Sequence, residues 1–209
     1  MFNNISLGDL GLWFVCLLIA MSVHEACHAF AGHALGDTTA KDAGRLTLNP
    51  LKHIDLITTI ILPTVMIAMH LPPILAAKPV PFNPDRVKYE EFGAALIALA
   101  GPASNFVMAL LAALILNVVP AASTGVVNFL VLFMSVNIGL FVFNLIPIPP
   151  LDGSRVLYAV APEPVQRVMA SIESLGFMAI LIIFFLFIGF LSPIIVGIDR
   201  SIFNFLIQI

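Results

Sequence analysis

The sequence predicts an all-α polytopic membrane protein with about four to six membrane segments, and three observations carry this. The 209 residues are 60% apolar and only 10% charged, where a soluble domain has about 25% charged residues. The mean hydropathy is +1.08. The apolar residues gather into runs separated by short polar, proline-rich connectors, and a run of roughly 20 helical residues suffices to cross a hydrocarbon core.

The first run covers residues 7–35 and ends at Gly36, a residue suited to the left-handed conformation that closes a helix. A polar stretch at 37–55 follows, with Lys41, Arg45 and Lys52. Within it Arg45-Leu46-Thr47-Leu48 alternates weakly, which predicts a short β-like stretch before Asn49-Pro50 ends it. Residues 57–77 are apolar again but broken by Pro63 and Pro72-Pro73. After a proline-containing connector at 78–91, a long helix is predicted over 92–117, carrying Gly101-Pro102-Ala103-Ser104-Asn105, and another over 126–145. The latter runs into Asn144-Leu145-Ile146-Pro147-Ile148-Pro149-Pro150-Leu151-Asp152-Gly153. Its crowded prolines cannot continue a regular helix. A resumed helix at 154–161, a surface helix at 163–173, a plain spanning segment at 175–196 and an interfacial tail at 198–209 complete the reading. The chain is expected to be one integral-membrane domain over residues 1–209, with a catalytic core at about 7–161 and a C-terminal scaffold helix at about 174–197.

Composition excludes some classes. The formal net charge is −3 and no Lys/Arg cluster is present, so no nucleic-acid partner is expected. Cys16 and Cys27 are the only cysteines. On one helix they would stand roughly 16 Å apart at 1.5 Å per residue, beyond the reach of a disulfide. Cys27 reads as a small buried apolar side chain rather than a metal ligand. The first run has no Lys or Arg before it and holds the chemically richest motif of the chain, so it is not expected to be a removable signal peptide.

That motif is His24-Glu25-Ala26-Cys27-His28. On a helix, H-E-x-x-H puts two imidazoles on one face at the spacing two zinc ligands need, with the glutamate placed to take a proton from an attacking water. Titratable groups inside a spanning segment are costly and usually functional. A catalytic zinc usually takes three protein ligands. Asp152 is the strongest third candidate, because it follows a proline-broken helix end where irregular backbone could line a polar cavity. His33, His53 and His70 compete with it. His33 is turned about 140° from the His28 face, and His70 is isolated in an apolar run.

The chain resembles the site-2 protease family of intramembrane zinc metalloproteases, as a compact bacterial-type member with no segment long enough for a PDZ domain. The resemblance rests on His24 to His28, on Gly101 to Asn105 and on Asn144 to Gly153, in the family's order, and also on Leu48-Asn49-Pro50-Leu51-Lys52-His53-Ile54-Asp55. It implies His24, His28 and Asp152 as ligands of one zinc ion and Glu25 as the catalytic base. It also implies membrane-spanning protein substrates, cut within or near a transmembrane segment in regulated intramembrane proteolysis, in a bacterial or archaeal plasma membrane. Asn144 and Asn105 are candidates to hold an oxyanion or an extended substrate strand, or else to satisfy backbone broken by Pro147 and Pro102.

Two rival readings stand beside this one. A different membrane metalloprotease would take its third ligand from Glu90, Glu91, Glu163 or Glu173. A non-proteolytic metal-binding protein or metal transporter would need a file of polar groups across the bilayer, and residues 175–196 offer none.

The ligand set constrains topology. His24 and His28 lie late in the first helix and Asp152 just past the end of another, so the two helices should run in the same direction. Residues 57–77 are then re-entrant or partial, unless Asp152 lies nearer mid-membrane. Side-specific thiol labelling of Lys52→Cys and Lys78→Cys is expected to reach both from one membrane face. Labelling from opposite faces would exclude the re-entrant form.

Overall fold

The structure is a computed structural model that describes residues 7–55, 61, 80–119, 123–176 and 192–208. The proline-broken segment at 57–77 falls outside the described residues apart from Ile61, and so does His70. Residues 177–191, most of the plain segment at 175–196, also fall outside.

Helix α1 spans Leu7–Ala34. Gly36 ends it at φ +102°, a conformation that favours glycine. Its N–H bonds His33 O at 3.1 Å and the Asp37 N–H bonds Gly32 O at 2.9 Å, the paired bonds that cap orphan helix carbonyls. A short turn of helix, α2, follows at Thr39–Asp42. Two Asn-Pro pairs then open single 3-10 turns, Pro50–Lys52 and Pro84–Arg86, with the Asn49 and Asn83 side chains accepting from the Leu51 and Asp85 N–H groups. Residues 45–48 are irregular rather than β-like. The Thr47 N–H turns back onto Arg45 O at 2.9 Å, and the buried Arg45 guanidinium donates to Lys52 O. The local alternation has no partner strand among the described residues.

The long helices are α3, Glu90–Val118, and α4, Thr124–Asn144. After the proline-rich turn come α5, Asp152–Val160, and α6, Glu163–Glu173. The last described helix, α7, is Ser192–Ile207. By length and composition α1, α3 and α4 could each cross a membrane, as an integral membrane protein requires. Arg155 pairs with Glu173 and joins α5 to α6.

Residue pairings give the directions. His28 meets Ile97 of α3, while Ala20 meets Asn105, so α1 and α3 are antiparallel. Asn105 meets Asn137, and Ala109, Ala112 and Ala113 pack with Leu130 and Met134, so α3 and α4 are antiparallel too. It follows that α1 and α4 run in the same direction. Alanines line the seams: Ala20, Ala26 and Ala29 on α1 and Ala94, Ala95 and Ala98 on α3 are buried. Small side chains let helix backbones approach closely, which matters where lipid removes the usual hydrophobic driving force.

Chain leaving α1 and chain entering α3 are tied together. The Lys88 N–H donates to Leu35 O at 2.9 Å. Asp37, 1% exposed, accepts from the Asn83 N–H at 2.7 Å and from both the Thr39 N–H and hydroxyl. Burial by itself would raise the Asp37 carboxyl. The hydrogen bonds from Thr39 and Asn83, with the Arg86 charge, outweigh it and hold the carboxyl below its usual value. A depressed carboxyl stabilises the fold above the ordinary carboxylate range and loses that contribution as pH falls through it. Asp37→Ala is expected to cost about 1.5–3 kcal/mol, as for hydrogen bonds to a charged group. The check is thermal unfolding in detergent, with the difference from wild type shrinking at strongly acidic pH.

Candidate metal centre

The late half of α1 carries His24 and His28 on the face turned to α3. They are 6% and 9% exposed. Four residues on a helix are just over one turn, so the rings sit one above the other, 4.6 Å apart and nearly perpendicular. Opposite them α3 presents Gly101, where a Cβ would run into His28 Nε2 and lie 2.7 Å from His24 Cε1. Glycine is there because the imidazoles occupy the space a side chain would need.

Asp152 arrives from the proline-rich turn. Leu151 is extended and Asp152 opens α5, where a carboxylate suits the positive end of a helix. Gly153 lets this junction pack on the end of α4: a Cβ there would collide with Leu145 O and lie 2.8 Å from Ile146 O. As a result Asp152 Oδ2 lies 3.1 Å from His24 Nε2 and 3.3 Å from His28 Nε2, and the two Nε2 atoms are 3.0 Å apart.

These three atoms suit a cation. His28 Nδ1 is 2.7 Å from Ile97 O, a carbonyl that can only accept, so Nδ1 carries the proton and Nε2 of the neutral ring is bare. His24 Nδ1 is likewise 2.6 Å from Asn105 Oδ1. Asp152 Oδ2 is buried and has no hydrogen-bond partner. With both rings neutral, three lone pairs would converge here, an arrangement that a metal ion suits. Two His nitrogens and a carboxylate oxygen form a zinc-type donor set, and the acceptor behind each outer ring nitrogen is the support metal-binding histidines usually have. Among the described residues, His24, His28 and Asp152 are a group of His, Cys, Asp or Glu able to hold an ion in this way.

Glu25 follows His24 on α1. It is half-buried, and its Oε2 accepts from the Val80 N–H at 3.1 Å, so residues 80–83 run beside it. The remaining sequence candidates lie elsewhere. Asn105 is fully buried with its oxygen turned to His24 and its Nδ2 bonded to Asn137 Oδ1 at 2.9 Å; it faces a ring, not an open substrate groove. Asn144 donates to Leu140 O on its own helix. His53 Nε2 is used on Thr47 O in the connector. Cys27 stands off the site, with Val23 and Phe30 of α1 and Ser104, Val107 and Met108 of α3, in an open apolar groove. Sequence reasoning passed over Asn137 and the Ile97 carbonyl. The carbonyl has no sequence signal, but an Asn in the middle of the apolar run of α4, between Asn128 and Asn144 near its ends, does carry one.

Comparison with known proteins gives the family. The chain is 35% identical to "Putative zinc metalloprotease YwhC" of Bacillus subtilis, over 81% of this chain and 78% of that protein. This chain belongs to peptidase family M50. The family's model matches residues 117–188, which include Asp152. "Putative zinc metalloprotease Rip2" of Mycolicibacterium smegmatis is 29% identical, over 79% of this chain and 63% of that protein. Its Mycobacterium tuberculosis namesake is also 29% identical, over 80% of this chain and 64% of that protein. No solved structure matches. The M50 chain is thus a membrane metalloprotease of the site-2 protease family, in line with the resemblance read from its motifs.

Gly101 offers a direct probe of the centre. Gly101→Ala is expected to push both imidazoles from their positions and lower bound zinc at least tenfold, in the range seen when support of metal ligands is lost. Elemental analysis of the purified protein checks this, with circular dichroism to confirm retained helix.

Proposed function

We propose that this chain is a zinc-dependent intramembrane endopeptidase, with His24, His28 and Asp152 holding one zinc ion and Glu25 as the catalytic base. Its substrates on this reading are membrane-spanning proteins, cut within or near a transmembrane segment in regulated intramembrane proteolysis. Its place is a bacterial or archaeal plasma membrane, which it crosses several times. The observation that carries the reading is the convergence of two histidine nitrogens and a carboxylate oxygen on one point, with a second carboxylate at the position after His24 on the same helix. The helix that supplies both histidines is long and apolar enough to cross a membrane, which supports a substrate drawn from the bilayer.

A zinc ion in this position supplies Lewis acidity, lowering the pKa of a water and polarising a peptide carbonyl. The chain's own residues do the rest. Glu25 accepts the proton of the attacking water as its oxygen bonds to the scissile carbonyl carbon. It then returns that proton to the amine nitrogen as the C–N bond breaks. The Val80 N–H holds one Glu25 oxygen and so fixes the rotamer of the base. The backbone of residues 80–83, tied to Asp37 through Asn83, is carried to Glu25 by the same fold that presents the histidines.

The test uses purified protein and single-span membrane peptides, with and without a chelator. Cleavage is expected to stop with chelator and return with zinc. Glu25→Gln should keep its zinc and lose at least about 100-fold in rate, the usual worth of a positioned base. Cleavage by that variant at the wild-type rate would overturn the assignment.

A further inference from the structure

The structure assigns Asn137 of α4 a positioning role: acting through Asn105, it fixes which nitrogen of His24 faces the metal. This inference rests on the zinc reading and deepens it. The ends of a side-chain amide are alike in shape, so nothing within Asn105 decides whether its oxygen or its NH2 meets His24. The decision is made two residues away. The Asn137 NH2 donates to Phe133 O at 2.8 Å, and a backbone carbonyl can only accept. That pins Asn137 with its oxygen toward Asn105, where it accepts from Nδ2 at 2.9 Å. Ala20 O, at 3.4 Å, is a second and weaker acceptor for the same Nδ2. Asn105 must therefore turn its oxygen to His24 Nδ1, 2.6 Å away. In the neutral ring the proton is then held on Nδ1, and Nε2 is left bare toward Asp152 and His28.

The reverse orientation would be harmful. With the Asn105 NH2 facing Nδ1, the neutral ring would carry its proton on Nε2, in the space between the three ligands. Both Asn105 and Asn137 are 0% exposed, so water cannot replace either partner. His28 is independent of this relay, because its Nδ1 meets the Ile97 carbonyl directly. The relay spans three helices, running from α4 through α3 to α1, and accounts for two amides buried where apolar side chains would pack at less cost.

Asn137→Leu frees the Asn105 amide to turn, and the apparent affinity for metal falls with the fraction left in the competent orientation. Because Ala20 O still favours that orientation, the expected loss is about tenfold. The experiment uses the full chain in detergent, 15N-labelled at histidine, with zinc affinity measured against a competing chelator and ring N–H protons observed by NMR. Wild type with zinc is expected to show slowly exchanging Nδ1–H protons on both His24 and His28. In Asn137→Leu, the His24 proton should exchange faster while that of His28 is unchanged. Unaltered zinc affinity in folded Asn137→Leu would overturn the relay, as would equal disturbance of both rings. If that variant does not fold, the wild-type spectrum still decides, since absence of a protected His24 Nδ1–H excludes the relay. Failure of wild type to bind zinc at all would overturn the metal reading and take the relay with it.

Discussion

Three electron-pair donors held within 3.3 Å of one another are the constraint around which this chain is arranged. Such a cluster is unstable by itself. Its members must be pressed together by the rest of the fold and neutralised by a positive charge. The small-residue seam between α1 and α3, the glycine facing the imidazoles and the break before Asp152 all serve that end.

Polarity in an apolar interior is tolerated when every group has a partner. For the two metal-facing histidines the chain meets this condition by pointing outer ring nitrogens at acceptors supplied by α3, a carbonyl for His28 and an amide for His24. Pro102 lies within α3 between those two contacts. It removes the N–H that would have bonded Ala98 O, on the turn that also carries Ile97. Helix α3 thus acts as the backing of the site, contributing no atom to the His24, His28 and Asp152 group while it orients two of its members. The antiparallel order of α1, α3 and α4 brings the histidine end of the first helix and the proline-broken end of the third to the same side. There the connector latched by Asp37 also returns past Glu25.

Much was legible before any coordinates. Periodicity, length and caps located α1 and α3 to α6 to within a few residues, because apolar runs bounded by Gly36 or by prolines have few other ways to satisfy their backbone in lipid. The division expected between 196 and 198 falls instead inside the continuous helix α7. The spacing of His24 and His28 put both on one face through helix geometry alone. The expected parallel course of α1 and α4 followed from a shared ion. Local pattern misled at residues 45–48, where weak alternation lacked a partner strand and a buried Arg45 organised the loop instead. It left Asn105 open between a substrate contact and a partner for backbone broken by Pro102, whereas its amide oxygen is turned to His24.

By itself, then, the sequence determined the membrane character, the helical elements and the residue types able to bind a metal and move a proton, since these depend on composition and on spacing within a single helix. Only the tertiary structure decided that Asp152, more than a hundred residues from His28, stands 3.3 Å from it, and that Asn105 and Asn137 form a chain ending on Phe133 O. Contacts between separate helices depend on their rotation and depth, and a slip of one residue along α3 would turn each of these partners about 100° away.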